Sequence, residues 1–275
     1  MWISDLKAGP SHKAQGLLPT TTAAPARVRL FQPTQRPTPR SGEWIETSFG
    51  RCRVTGRLGQ RHADVLEAIL FCASRVQRLP DGGLILLCDP ARARRALGGS
   101  YSGEQMWILL RELRAATVEI EIEARGLRAM GGLLDEVVEA ATRARNPLGG
   151  DRPLWRVRIG RCGQALLEQD LHLTYDPRLV ARLSCGVSQA VARHVLTHSC
   201  EPRGGWRLDT LIEAVCGPLP AQTLRDRRRE LRRDVAGLAA LGIQIEGDRV
   251  RRGGVEQPPD AVEQPPDAVE QPPDF

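Results

Sequence analysis

The residues best suited to chemistry in this chain are arginines crowded into one short stretch of the C-terminal half. Segment 220–241, PAQTLRDRRRELRRDVAGLAAL, carries six arginines within nine residues. At 100° per residue its apolar side chains form one stripe, which consists of Leu224, Leu231, Val235 and Leu238. Four arginines share a separate flank, and they are Arg225, Arg229, Arg232 and Arg233. A guanidinium group presents a planar fork of donors that fits phosphate oxygens and the edge of guanine. The pattern therefore predicts a helix that packs on one side and binds nucleic acid on another, with a solvated charged face as the alternative.

The elements around this segment are expected to position its helix. A helix over 188–199, a short strand over 206–208 and a helix over 209–216 precede it. A strand pair over 243–250, with a turn at Gly247-Asp248, follows it. This is the order of a winged helix, a helix-turn-helix with a β-wing, in which the third helix reads the DNA.

An earlier part of the chain repeats this order. The periodicity predicts a helix over 61–77, a strand over 84–87, a helix over 90–97 and a helix over 102–116 that a Ser102–Gln105 capping box begins. Strands 118–123 and 154–159 are expected to form the hairpin, with 125–150 as an insertion that holds a short helix over 133–141. The polar side of the 102–116 helix carries Trp107, Arg111 and Arg114.

The predicted fold class is α+β, with two tandem winged-helix domains between disordered termini. Residues 1–42, rich in proline, threonine, alanine and arginine, are expected to form a disordered basic arm. Winged-helix domains are expected over 43–168 and 169–252. Residues 253–275 contain three near-identical VEQPPDA heptads whose proline pairs exclude a coiled coil, so we expect a disordered tail.

Composition favours a polyanionic partner and excludes several enzyme classes. The net charge is +6 and the isoelectric point about 9.2. Lys7 and Lys13 are the only lysines, so a Walker-type phosphate loop and a Schiff-base lysine are excluded from the rest of the chain. We find no catalytic motif, and we expect no enzyme activity and no cofactor. Most cysteines have apolar neighbours, which is typical of buried thiols in a reducing compartment. The sequence shows no secretory or membrane-spanning pattern. We therefore expect a cytoplasmic protein without a membrane partner.

Two other groups of residues could form sites. His194 and His198 have the i, i+4 spacing of zinc ligands, but valines share their helix face, so packed histidines are favoured and no metal is expected. Glu119, Glu121 and Glu123 alternate along one strand, which is more typical of the solvated face of a sheet than of catalytic carboxylates.

From about residue 58 to residue 250 the chain resembles the replication protein C family, the iteron-binding initiators of small IncQ-type broad-host-range plasmids. RLDTLIEAVCG followed by LRDRRRELRRDVAGLAALGIQI is similar to the family's short helix, basic recognition helix and wing. LVARLSCGVSQAVARHVL is similar to the preceding helix, and GLILLCDPARARRALGGSYS matches the first domain more loosely. The arm and the heptad tail depart from the family pattern.

The resemblance implies a plasmid replication initiator. Such proteins bind tandem direct repeats, called iterons, in double-stranded DNA at the origin and help to open an adjacent AT-rich stretch. They recruit a helicase and a primase encoded by the same plasmid, and homodimerisation commonly regulates them. Two alternatives stay open on the residues alone: a transcriptional repressor, possibly of its own operon, and an adaptor that binds an acidic protein.

The predicted DNA contacts are divided between the two domains. On the second recognition helix, the residues expected in the major groove are Arg225, Arg228, Arg229 and Arg232, with Arg233 on a phosphate. Arg249 of the wing is expected on a flanking phosphate. Arg111, Arg114 and Trp107 are expected at a neighbouring groove, with Arg125 and Arg128 on the backbone of the DNA.

Overall fold

The fold is described from a computed structural model that covers residues 17–98, 101–145 and 151–253. The helices are α1 (Ala24–Arg27), α2 (Gln60–Phe71), α3 (Pro90–Ala96), α4 (Gly103–Ala115), α5 (Arg161–Gln169), α6 (Pro177–Ala181), α7 (Gly186–Leu196), α8 (Leu208–Cys216), α9 (Ala221–Arg233) and α10 (Val235–Ala240). The strands are β1 (Thr21–Thr22), β2 (Arg40–Glu46), β3 (Arg51–Gly56), β4 (Ala73–Arg78), β5 (Leu84–Cys88), β6 (Thr117–Ile122), β7 (Leu127–Gly131), β8 (Leu134–Arg145), β9 (Asp151–Ile159), β10 (His172–Leu173), β11 (Trp206–Arg207), β12 (Ile243–Glu246) and β13 (Arg249–Arg252). The predicted mixed α+β class is confirmed.

The first half of the chain is built on two antiparallel four-stranded sheets, with strand orders β2-β3-β6-β7 and β4-β5-β9-β8. Alternation along β6 buries Val118, Ile120 and Ile122 against the core. The opposite face of β6 shows Glu119 2.5 Å from Arg53 and Glu121 2.6 Å from Arg51. These carboxylates therefore belong to a ladder of cross-strand ion pairs on the polar face of the sheet.

The hairpin predicted for the first half is wrong. Strand β6 pairs with β3 and β7, whereas β9 pairs with β5 and β8. The helix predicted over 133–141 is also wrong, because that stretch belongs to the twelve-residue strand β8. Val137 of β8 lies opposite Val157 of β9, and this pairing across the sheet overrides a local apolar spacing that also fits a helix. Residues 146–150 of the predicted insertion lie outside the described residues.

The helix predicted over 61–77 ends six residues early. Helix α2 stops at Phe71, and Val76 pairs instead with Leu86 in the strand pair β4–β5. The apolar residues of 69–76 keep a helical spacing, but they also suit a short buried strand, so the local pattern does not decide between the two.

Residues 17–42 correct the prediction of a disordered arm. Val28 and Leu30 are completely buried, Phe31 is 8% exposed, and all three lie in the first hydrophobic core. Strand β1 pairs with β10 far along the chain. The burial of these three apolar residues of the VRLF sequence stabilises the segment, although its surroundings are rich in proline and arginine. Residues 1–16 and the predicted tail from residue 254 lie outside the described part of the chain.

The second half contains helix α7, strand β11, helices α8, α9 and α10, and the hairpin β12–β13. Its small sheet has the order β11-β13-β12. The helix predicted over 220–241 divides at Asp234 into α9 and α10. Because of this break, Val235 does not join the predicted apolar stripe, and its side chain is 38% exposed. Leu231 and Leu238 are completely buried.

The two halves meet where α2 packs against α7, through a buried network of charges. The Arg193 guanidinium lies 2.6 Å from an Asp64 carboxylate oxygen and 2.8 Å from a Glu67 oxygen. It also donates to Gln60 Oε1 at 2.7 Å. Tyr175 donates its hydroxyl to Glu67 at 2.8 Å. Both carboxylates are therefore paired and hydrogen-bonded, and the network joins the two halves without leaving either buried carboxylate unpaired. Among the described helices, none is both long and apolar enough to cross a membrane.

Candidate nucleic-acid interface

Helix α9 rests on the second core by one edge only. Leu231 is its one buried residue, and Leu224 packs half-buried against the same core. The remaining surface is polar and carries the arginines of the sequence motif. At 100° per residue, Arg225, Arg229 and Arg232 lie within about 60° of one another. They form one row on the exposed side of the helix, which we call the α9 arginine row.

Ion pairs divide these arginines into two groups. Arg228 pairs with Asp209 at the start of α8, and this hydrogen bond lowers the pKa of the Asp209 carboxyl. Arg227 pairs with Glu230 at 2.8 Å, and Arg229 pairs with Asp226 on its own helix. By contrast, Arg225, Arg232 and Arg233 are exposed and form no ion pair with any residue that the structure describes. Their charge is available to a partner.

Asp234 fixes the direction of α9. It is 7% exposed, and its carboxylate accepts hydrogen bonds from Ser184 N at 2.9 Å, Ser184 Oγ at 2.8 Å and Cys185 N at 3.0 Å. The end of α9 is thereby bound to the start of α7. The sequence periodicity predicts one continuous helix over this segment; an aspartate directly before the apolar run VAGLAAL is the signal for a helix boundary that this prediction missed.

The hairpin β12–β13 lies beside the start of α8, which Arg228 of α9 also contacts. The Asp248 carbonyl at its turn accepts a hydrogen bond from Leu208 N at 2.8 Å, directly before the Asp209 that holds Arg228. Arg249 is exposed, 4.0 Å from Asp248, and lies opposite Arg207 of β11. The predicted Arg249 and Arg228 therefore both lie next to residues at the start of α8.

The predicted residues of α4 lie beside the unexpected strand β8. Trp107, Arg111 and Arg114 line a cleft of about 330 Å³ together with Glu136, Val137 and Val138. Trp107 is 38% exposed and its ring centroid lies 5.8 Å from that of Trp155. Arg114 donates to the Asp135 carbonyl at 2.8 Å, so β8 covers part of the face that was expected to meet DNA.

The remaining two predicted residues are already paired with carboxylates. Arg125 lies 3.8 Å from Asp170, and its guanidinium is 5.8 Å from the ring centroid of Phe49. Arg128 lies 3.0 Å from Glu121 in the ion-pair ladder of the sheet. Each has a structural role, which the sequence reasoning did not identify because the partners are distant along the chain.

No protein-family model, no curated protein sequence and no solved structure matches this chain.

Proposed function

We propose that the protein is a plasmid replication initiator that binds tandem direct repeats of double-stranded DNA through two winged-helix domains. The observation that carries the proposal is the α9 arginine row, exposed on a helix that Asp234 anchors at its end. Arg228 holds the middle of the same helix to Asp209, next to the Leu208 N–H that the turn of the β12–β13 hairpin accepts. The order helix, strand, helix, helix, hairpin in the second half, with sheet order β11-β13-β12, supports a winged helix there.

In this proposal α9 enters the major groove. Arg225 and Arg232 bind the edges of guanines, and each bidentate contact is worth about 1–3 kcal/mol of discrimination. Arg229 joins them, because its exposed pair with Asp226 contributes little stability and exchanges readily for a base. Arg233 and Arg249 bind phosphates beside the groove. Arg228 serves mainly to hold α9 against Asp209.

The first half contributes a weaker contact through the exposed Arg111 of α4, with Trp107 and Arg114 limited by β8. DNA opening then follows from bending or untwisting of the repeats. A plasmid-encoded helicase and primase are recruited afterwards, in the cytoplasm, by a protein that acts without catalysis of its own and is regulated through homodimerisation.

The test uses fluorescence anisotropy with labelled duplexes taken from the DNA that flanks the gene and with scrambled duplexes of equal length. Arg225→Ala and Arg232→Ala are expected to weaken specific binding by about tenfold or more, and Arg229→Ala in the same direction, with smaller losses on scrambled DNA. Arg227→Ala is the matched control, since Arg227 lies on the opposite side of the same helix and pairs with Glu230. Equal losses on both duplexes would reduce the α9 arginine row to phosphate contacts, and no loss would exclude α9 from the interface.

Footprinting of the same flanking DNA separates the initiator from its rivals. Protection of several direct repeats of about two helical turns beside an AT-rich stretch is the expected result. Protection of one palindrome over a promoter would identify a repressor instead. If the affinity for labelled DNA does not fall steeply as the salt concentration rises, an adaptor for an acidic protein would be favoured.

A further inference from the structure

A second group of cationic side chains lies beside the end of α8, in a cleft of about 500 Å³ between the two halves of the chain. Residues of the N-terminal segment, the β2–β3 turn, α7 and α8 line it, among them Arg27, Arg29, Phe49, His194, His198 and Trp206. We propose that this cleft binds a small phosphorylated ligand of the nucleotide class. Its volume lies within the range of small-molecule sites, and such sites prefer domain junctions.

The two arginines of the cleft carry charge that their own contacts leave uncompensated. Arg27 donates to Thr197 Oγ1 at 2.8 Å and to the Thr197 carbonyl at 2.7 Å. Arg29 donates to the Glu46 carbonyl at 2.5 Å, and its buried Nε has no hydrogen-bond partner in the described structure. Both sets of acceptors are neutral, and neither arginine forms an ion pair with a described residue. A half-enclosed pair of guanidinium groups without a carboxylate is a site for an anion.

The surrounding charges strengthen this conclusion. The guanidinium groups of Arg27 and Arg125 both lie over the Phe49 ring. Burial and the nearby positive charge of Arg125 lower the pKa of Arg27. The buried Asp170 carboxylate accepts a hydrogen bond from Ala24 N and lies 3.8 Å from Arg125, so one carboxylate offsets part of the positive charge of Arg27 and Arg125 and leaves Arg29 without an acidic partner. Glu213 is the one acidic side chain among the described residues that line it, and it is exposed.

The backbone is shaped to bring Arg29 into the cleft. Arg29 is the one non-glycine residue with positive φ in the described chain, at 57°. Across from it, Gly217 has a φ of 86°, and a Cβ atom there would lie 2.5 Å from Arg29 Nη1. Non-glycine residues held at positive φ cluster at ligand sites, and the lack of a side chain at Gly217 leaves room for the Arg29 guanidinium.

The groups around the two histidines, rather than the histidines themselves, favour an anion over a metal ion. His194 and His198 place their Nε2 atoms 3.4 Å apart, and burial lowers the pKa of His194 to about 4, so it is neutral at physiological pH. Three or more potential metal ligands do not come together anywhere in the described residues, and Arg27 and Arg252 add positive charge beside His198. Neutral imidazoles supply hydrogen bonds to a phosphate, while Phe49 and Trp206 offer apolar walls to an organic group.

Isothermal titration calorimetry of the full chain with AMP, inorganic phosphate and adenosine tests the proposal without DNA, so its outcome is independent of the initiator hypothesis. AMP is expected to bind with a Kd of about 1 mM or tighter, phosphate more weakly, and adenosine not measurably. Arg27→Gln and Arg29→Gln are each expected to weaken AMP binding by about tenfold. Arg232→Gln is the control and should bind AMP as the wild type does.

Two further readouts complete the test: the first uses the wild type alone, so it holds even if a variant does not fold, and the second separates the cleft from the DNA interface. Photo-crosslinked 8-azido-AMP on the wild type should map to peptides that contain residues 27–49 or 194–218. Arg29→Gln should also leave affinity for duplex DNA unchanged. Absence of AMP binding, equal affinity for adenosine and AMP, crosslinks elsewhere, or a loss of DNA affinity in Arg29→Gln equal to that in Arg232→Gln would overturn the proposal; the last result would make the cleft a contact for the DNA backbone.

Discussion

Replacement of Arg193 by methionine removes the guanidinium that neutralises Asp64 and Glu67 where α2 meets α7. The three side chains are 6%, 0% and 3% exposed, so water cannot take over the lost contacts. Loss of one partner from a buried ion pair costs about 3–5 kcal/mol. Because Arg193 serves two carboxylates, we expect the upper part of that range. A loss of about 4–5 kcal/mol is a large share of the 5–15 kcal/mol that is usual for a domain.

Urea denaturation followed by circular dichroism measures this loss. Arg178→Met is the matched control, since Arg178 pairs with Asp176 at the surface and its loss should cost less than about 1 kcal/mol. In Arg193→Met, a second change, Glu67→Gln, should recover part of the stability because it removes one unpaired buried charge. If Arg193→Met costs no more than Arg178→Met, the network does not hold the halves together.

The pH dependence of the same variant has a defined sign. Burial raises the pKa of Glu67 even with Arg193 present, and the pKa should rise further without it. The folded variant then holds a proton at pH values where the unfolded chain has released it, so its stability falls as pH rises. The deficit of Arg193→Met relative to the wild type should therefore shrink on acidification.

Three further changes test particular contacts. The pKa of His194 is lowered from 6.5 to about 4, so the folded protein takes up this proton less readily than the unfolded chain. Acidification from pH 6.5 to pH 4 should therefore lower the free energy of unfolding of the wild type by up to about 3 kcal/mol. His194→Gln should not show this loss in urea titrations at several pH values. Asp234→Ala removes three hydrogen bonds at the α9–α10 junction and should lower the free energy of unfolding by about 1–3 kcal/mol. It should also lower the affinity for specific DNA, as measured by fluorescence anisotropy. Ala239→Ser, at an exposed position of α10, should change neither quantity. Gly217→Ala places a Cβ atom against Arg29 at a positive φ and should lower the melting temperature, and an unchanged value would contradict the close approach.

The second half was the easier part to predict because its helices carry strong apolar periodicity. Val187, Val191 and Val195 recur at intervals of four, and all three are buried in α7. The first half was harder because the apolar spacing within its strands also fits a helix, and the strand pairing that decides is not visible in the local sequence. Val76 and Val137 sit in stretches that fit a helix locally, and only their partners across the sheet decide otherwise.

The candidate site shows a similar division. Sequence periodicity located the row of Arg225, Arg229 and Arg232, but it could not show which arginines were already paired. Arg228 pairs with Asp209, nineteen residues earlier, and that contact depends on how α8 and α9 pack. Arg29 was assigned to a disordered arm, so its cleft could not be anticipated from the sequence.

The rigidity of the α2–α7 contact bears on how the proposed initiator would act on DNA. Helix α4 packs on α2, and α9 packs on α7, so the Arg193 network fixes the first pair of helices relative to the second. If α4 and α9 bind one duplex, the distance between their contacts is set by the protein. A repeat whose relaxed geometry does not match that distance must bend or untwist to engage both helices. Breaking the buried ion pairs costs about 3–5 kcal/mol. Bending of DNA costs about 1–6 kcal/mol, so a small bend costs less than breaking the network. Strain would then accumulate in the DNA, which is where opening requires it.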